Sequence, residues 1–313
     1  MQGQFDHVPV MGREVVELLL PVPGGVVVDA TVGGGGHAAR LLEARPDLRL
    51  LGIDRDAAAI AASRERLARF GDRVQIEQGR FGELRAIVPE RDEGNVIAVF
   101  FDLGVSSAQL DSEERGFSYR FDAPLDMRMD SAQTLTASDV VNTYDQSQLA
   151  SVIARFGEER FATRIAAAIV AARPITGTRE LAEVVKDAIP AATRRRGPHP
   201  ARRTFQAIRM EVNQELPNLA AGLDDAVHLV GPGGRVAVLA YHSLEDRMVK
   251  ERFAAASSQP ELPARLPVRD ERPPAPFRLL TRRVLRPTAD EIESNPRAES
   301  ARLRGIERRA DVP

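Results

Sequence analysis

As far as about residue 105, apolar positions fall in short runs separated by stretches of helical spacing. Val26-Val27-Val28-Asp29-Ala30 is a continuous apolar run broken by one acid, the pattern of a buried strand. Gly33 to Gly36 follow, and then HAARLLEA, which has helical spacing. Arg49–Asp54 is predicted as a second strand ending in an acid. Ala57–Phe70 is predicted as a helix, because it is Ala-rich and its apolar residues recur at three and four. Arg73–Gln78 is predicted as a third strand, FGELRAIV as a short helix, and Val96–Asp102 as a fourth strand. That fourth run is apolar almost throughout, as a central parallel strand covered on both faces requires. The alternation predicts a doubly wound α/β sheet with right-handed crossovers.

The pattern changes after about Leu110. Residues 111–145 are polar and acidic with few periodic signals. QSQLASVIARF, ERFATRIAAAIVAAR and TRELAEVVKDAI then carry the i, i+3, i+4 spacing of amphipathic helices, and Pro174 and Pro190 end the last two. Arg202 to Leu216 is predicted as a fourth helix, and no strand is expected between about 105 and 230. The α/β pattern resumes with the helix LAAGLDDAVHLV, stopped by Gly231-Pro232-Gly233-Gly234, the strand RVAVLAY and the helix LEDRMVKERFAAA. The expected organisation is an α/β core over 1–110, a helical insertion over 111–215, and the rest of the core with an irregular basic tail over 216–313. Residues 257–277 are Pro-rich and expected to be irregular. An edge strand is expected around Leu279 to Leu285.

Composition narrows the function classes. With 313 residues and 43% hydrophobic content, the chain can bury a sizeable core and is not a disordered one. It has no Cys, which removes disulfides, thiol nucleophiles and Cys-ligated metal, and its 5 His are dispersed, so no metal site is expected. No apolar run approaches the roughly 20 residues of a membrane span. The start, MQGQFDHVPVMGREVV, lacks the basic and apolar regions of a secretory signal, so a soluble cytoplasmic protein is expected. The net charge of -2 gives no general affinity for nucleic acid. Every basic residue except Lys186 and Lys250 is Arg, which fits either genomic base composition or phosphate recognition by guanidinium groups. Arg194, Arg195, Arg196, Arg202 and Arg203 cluster with His199 in the predicted insertion, either as an RNA-phosphate contact or as a solvated loop.

The candidate chemistry lies at predicted strand ends, where open α/β sheets bind ligands. Gly33, Gly35 and Gly36 form a Gly-rich turn between a strand and a helix, which suits close approach of a nucleotide-like ligand. The turn lacks the GK[ST] of a phosphate-binding loop. Asp54 can accept from ribose hydroxyls. Asp29 beside the glycines would repel a pyrophosphate and attract an ammonium, which favours S-adenosylmethionine over a dinucleotide. Phe81 follows the third strand, either as a stacking surface for adenine or as core. Asp102, with Ser106, Ser107 and Gln109, ends the fourth strand where a transferred methyl would meet its acceptor. A carboxylate there could accept the proton of an exocyclic amine, or could simply cap the strand. His242, Ser243, Glu245 and Asp246 follow the later strand on the same rim, as catalytic or substrate residues or as a helix cap with acids in its first turn.

These segments carry a resemblance. HVPVM, DATVGGGGH, GIDRD, GRF, FDLGVSSAQLDSEERGFSYRFDAPLDMRMD, TFQAIRMEVNQEL, GPGGRVAVLAYHSLEDRMVK and NPRAESARLRGIER resemble the MraW (RsmH) family across essentially the whole chain. The family is that of bacterial S-adenosylmethionine-dependent methyltransferases acting on N4 of a cytidine in the decoding region of 16S ribosomal RNA. The resemblance implies a class I (Rossmann-like) methyltransferase sheet with an inserted all-helical domain. It implies cofactor contacts at Gly35, Gly36, His37, Asp54, Phe81, Asp102 and Gln109, a cleft lined by AYHSLEDR, and the small ribosomal subunit or its RNA as partner. Ala240-Tyr241 and Glu299 depart from its pattern. A DNA amino-methyltransferase would carry an Asp/Asn/Ser-Pro-Pro-aromatic run after strand four, and Leu103-Gly104-Val105 is not one. A non-enzymatic ribosome-assembly module is the other alternative. Monomer and homodimer stay equally open.

Overall fold

The computed structural model describes residues 9–92, 94–105, 113–194, 199–259 and 274–311. The chain divides into two compact units, one of residues 1–104 and 217–313, the other of residues 105–216.

The first unit is built on a seven-stranded sheet. In chain order its elements are α1 (Gly12–Leu19), β1 (Val26–Asp29), α2 (Gly36–Ala44), β2 (Arg49–Asp54), α3 (Ala57–Leu67), β3 (Val74–Gln78), α4 (Leu84–Ile87) and β4 (Val96–Asp102). After the second unit come β5 (Arg235–Ala240), α12 (Ser243–Ala256), β6 (Phe277–Leu279), α13 (Ala289–Ser294) and β7 (Arg302–Arg308). The strand order is β3-β2-β1-β4-β5-β7-β6. The first five are parallel to their neighbours, while β7 runs antiparallel to β5 and β6 antiparallel to β7. The order reverses between β1 and β4, so a crevice opens at the carboxyl ends there.

Strand pleating sorts the core. Val27, Leu50, Phe100 and Leu239 pack into a cluster with α1 and α2 on one face. Val28, Leu51, Phe101 and Val238 pack on the other face with Leu84, Leu223 and Phe253. Successive side chains alternate between the two clusters, as a period of two demands. The β1–β4 register slips by one residue at Ile97, which joins Ala98 in the same cluster. Each fully buried residue of this kind stabilises the fold by about 1.5–3 kcal/mol.

Helix α1 has no counterpart among the expected elements and gives no cap signal of its own, because Met11 is left-handed and its N–H donates to Glu291 Oε1 at 2.6 Å. Two expectations are corrected in this unit. The segment after Phe277 is strand only to Leu279, and Leu285 makes an isolated bridge to Leu303. The tail read as scattered charge holds β7, an interior strand. Its Glu307 accepts from Arg235 and Arg278 on the two neighbouring strands at 2.9 Å each.

The second unit contains α5 (Ala137–Thr143), α6 (Gln146–Gly157), α7 (Ala162–Ala172), α8 (Thr178–Ala188), α9 (Ala191–Arg194) and α10 (Arg202–Asn213). Helix α11 (Glu215–Leu229) follows. Met127, Val140, Ile153, Ile165, Leu181 and Ile208 lie in the unit's apolar core. Capping boxes start α5 at Thr136 and α6 at Asp145, satisfying first-turn N–H groups. The expected helix Arg202–Leu216 is broken, because Gln214 is left-handed at φ 48° and ends α10 before α11 begins. The polar stretch before α5 is held by Arg115, which donates to the Arg128 and Met129 carbonyls, and by Arg128, which donates to those of Ser131 and Gln133. Outside named strands, one bridge joins Pro124 to Gly177.

Candidate active site

The site is assembled where β1, β2, β4 and β5 end. After β1 the chain turns through Gly33 and Gly35, at φ 51° and 74°, a left-handed backbone that glycine adopts without strain. Among the described residues a Cβ at Gly34 would meet nothing within 4 Å, so they leave this side of the loop open. Helix α2 then starts at Gly36 and presents its free N–H groups beside the loop.

Three carboxylates frame this turn. Asp29 is 1% exposed and accepts from Thr31 N–H at 3.2 Å. Burial pushes its pKa up to about 7, against the lowering effects of His37 and the Thr31 bond, and Asp102 and Asp54 raise it further. Asp54 accepts from Gly33 N–H and Asp56 N–H at 2.9 Å each, which ties β2 to the glycine turn. Burial also holds Asp54 above the usual carboxylate range, although those two N–H groups pull it down. Asp102 ends β4. Its N–H donates to Thr31 Oγ1 at 2.6 Å, and its Oδ1 accepts from the Tyr241 hydroxyl at 2.9 Å.

His37, in the first turn of α2, is 6% exposed and meets Phe100 edge-on at 4.9 Å. Its Nε2 lies 3.5 Å from Asp102 Oδ2, yet neither ring nitrogen has a hydrogen-bond partner among the described residues. Buried polar atoms without partners are uncommon and call for an occupant or a role. Phe81 starts a short 3₁₀ turn after β3 and sits edge-on to Phe101 at 5.9 Å, packed against the core while still partly open.

The HSLED run after β5 follows the helix-cap alternative, with acids in the first turn, but with a different capping residue from the serine expected. His242, not Ser243, is the cap of α12, with its Nδ1 accepting from Glu245 N–H at 3.3 Å. Glu245 is 3% exposed, and its Oε2 accepts from the Tyr241 and His242 N–H groups. Asp246, expected to meet substrate, instead accepts from Arg304 Nε at 2.6 Å and Arg302 Nη1 at 3.5 Å on β7. Glu245 and Asp246 thus hold the rim in place. Sequence reasoning places Tyr241 in the cleft segment AYHSLEDR but gives it no role, and misses Thr31, though both touch Asp102. The clue to Tyr241 is the register: Asp102 pairs with Leu239, and Tyr241 lies two residues on, on the same face. Ser106, Ser107, Gln109, Arg195 and Arg196 lie outside the described residues, as does the side chain of Arg194.

The MraW methylase family model matches residues 4–309. The chain belongs to this family. It is similar to the ribosomal RNA small subunit methyltransferase H of Acidothermus cellulolyticus, at 52% identity over 98% of this chain and 94% of that one. The protein of the same description from Thermobifida fusca is 50% identical over 96% of this chain and 93% of that one. Among solved structures, an rRNA methylase from Streptococcus thermophilus aligns at 12% identity and a TM-score of 0.40, covering 96% and 94% of the two chains. Membership and strand order together make the sheet unit a class I, Rossmann-like methyltransferase fold. Among the described residues, no helix is long and apolar enough to cross a membrane.

Proposed function

We propose that this family member transfers a methyl group from S-adenosylmethionine to N4 of a cytidine in the decoding region of 16S ribosomal RNA, acting on the small ribosomal subunit or its RNA. The observation that carries the reading is the convergence of Asp29, the open glycine turn, Asp54 and Asp102 at the switch point of the sheet. The relatives' descriptions name small-subunit ribosomal RNA, and the resemblance of the Asp102–Asp130 block supplies the cytidine and its position.

The residues present fit the cofactor. The buried carboxyl of Asp29, raised by burial despite His37, is suited to an ammonium, and the open side of Gly34 to a bulky neighbour. His37 offers two unbonded nitrogens beside the same turn. Gly33, Gly35 and Gly36 would hold the amino-acid end, Asp54 the ribose, and Phe81 the adenine; the family resemblance adds Gln109 as a cofactor contact. When bound, S-adenosylmethionine supplies a methyl on a sulfonium, whose C–S pair stays on sulfur as the new N–C bond forms. An exocyclic amine shares its lone pair with its ring and is a weak nucleophile. Asp102 addresses this by accepting hydrogen bonds from the amine and then its proton. The substrate and catalytic roles expected of Ser106, Ser107, His242 and Ser243 belong to the same proposal. Much of the remaining acceleration is positioning.

Incubation with radiolabelled cofactor and 30S particles, beside duplex DNA, tests the proposal. Label in ribosomal RNA, mapped by mass to N4-methylcytidine, is the expected result; label in DNA alone, or in neither, would overturn it. Charge reversal across Arg194–Arg196 should weaken RNA binding and flatten its salt slope by about 0.7–0.9 for each phosphate left without its arginine. Unchanged affinity across salt concentrations would remove these arginines from the interface.

A further inference from the structure

We propose that Tyr241 is a positioning residue for Asp102: its phenol occupies one carboxylate oxygen and leaves the other, beside His37, to receive the amine proton. The inference rests on the reading of Asp102 given above and adds a residue to it.

The geometry is specific. The Tyr241 hydroxyl donates to Asp102 Oδ1 at 2.9 Å, and Oδ2 lies 3.5 Å from His37 Nε2. The Asp102 backbone is fixed separately, by its N–H bond to Thr31 Oγ1 at 2.6 Å. The Tyr241 backbone is fixed by its N–H bond to Glu245 Oε2 at 2.9 Å, from within α12. The two residues are therefore anchored separately, Asp102 to the turn after β1 and Tyr241 to α12, and the bond between them restrains rotation of the carboxylate. Methyl transfer to a neutral amine releases one proton, and the ionised carboxylate can take it at Oδ2 without breaking the Tyr241 bond. The phenol stays a donor throughout, because burial and the Asp102 charge hold it well above its ordinary range. Around the pair stand His37 on α2, Asp29 at the end of β1, Glu245 on α12 and Glu291 on α13.

The test is a cycle of Tyr241→Phe, Asp102→Asn and the double variant. Tyr241→Phe keeps the ring and removes the hydroxyl. It should lower kcat about 10- to 100-fold, as loss of one hydrogen bond to a charged group does. KM for RNA and calorimetric affinity for S-adenosylhomocysteine should stay within about twofold. In the Asp102→Asn background the same change should remove little more, and the midpoint shifts in thermal unfolding should be less than additive. A kcat unchanged in Tyr241→Phe, or losses that simply add in both measurements, would overturn the positioning role while leaving the function intact. A wild-type protein without methyl transfer would overturn both.

Discussion

In the helical unit, Asn213 is 2% exposed and fully engaged. Its Oδ1 accepts from Met129 N–H at 2.9 Å, and its Nδ2 donates to the Met127 and Arg209 carbonyls at 2.8 Å each. Thr178, also buried, accepts from Ala123 N–H at 3.0 Å and donates to the Phe121 carbonyl at 2.7 Å. At the strand ends of the sheet unit, His37 is buried almost as deeply and neither nitrogen is bonded among the described residues, while Asp29 is buried with only His37 and the Thr31 N–H to offset its burial. Thr204 Oγ1 is the one unbonded buried side-chain atom among the described residues of the helical unit. The contrast separates two uses of buried polarity. Satisfied groups specify a fold, whereas the unsatisfied nitrogens of His37 at the strand ends are what a ligand would be expected to engage.

The sharpest way to break this comparison is Asp102→Asn. If the strand-end acids serve chemistry, methyl transfer should fall by roughly 100- to 10,000-fold, the range of a general base. The thermal midpoint should move little, since Asn keeps an acceptor for Tyr241. A large loss of stability with activity retained per folded molecule would place Asp102 with the structural groups.

Asp29 allows the next test, because its cost to the fold has a sign. Between its ordinary 3.8 and about 7, the unfolded chain loses the Asp29 proton while the folded chain keeps it. The folded state therefore loses stability as pH rises through that window, and the full penalty persists above it, on the order of 2–4 kcal/mol. Asp29→Asn should accordingly be more stable than wild type at pH 8 in urea unfolding, with the gain vanishing near pH 4. The same variant should bind S-adenosylhomocysteine at least about tenfold more weakly at pH 8, as loss of a charged hydrogen bond implies. Wild-type affinity should fall as pH drops below about 7, and the variant's should not. A variant that is destabilised at pH 8 and binds normally would return Asp29 to an ordinary core role.

Much of this was legible from residue pattern. Strands β1 to β5 are apolar runs because both faces of the sheet are covered, and the acids that end β1, β2 and β4 announce the crevice directly. What stayed hidden depends on distant partners. Strand β7 reads as a charged tail because Arg302, Arg304 and Glu307 interrupt Leu303 and Ile306, and only the fold supplies Asp246, Arg235 and Arg278 to pair with them. Helix α1 is short and finds its cap acceptor, Glu291, 280 residues away. Tyr241 could be ranked above any other aromatic only once the β4–β5 register set it beside Asp102. The same dependence left Asp246 open between substrate and frame, since an acid in the first turn of a helix after a strand looks alike in either role; the fold shows its pairing with Arg304 and Arg302.

Asn213→Ala probes the other side of the comparison. It strips a buried N–H and two carbonyls of their partners, so it should destabilise the helical unit by about 2–4 kcal/mol. Urea unfolding followed by tryptic cleavage within residues 105–216 would read this locally. Affinity for S-adenosylhomocysteine should be unchanged at concentrations where the sheet unit stays folded, and a parallel fall in affinity would show that the two kinds of buried group are not separable.

Asp246→Asn should have the smallest effect, and it refines the boundary between the two uses within the rim. Asp246 sits four residues beyond His242, close to the chemistry in sequence, yet it is spent on Arg304 and Arg302. Asn keeps one acceptor for Arg304 Nε and loses the charge, so the expected loss is about 1–2 kcal/mol of stability. Because Arg304 and Asp246 are both largely buried, added salt should recover little of it. RNA affinity measured by filter binding should match wild type. If affinity fell instead while the unfolding midpoint held, Asp246 would have to leave β7 to meet its ligand, and the rim would be a moving part rather than a fixed frame.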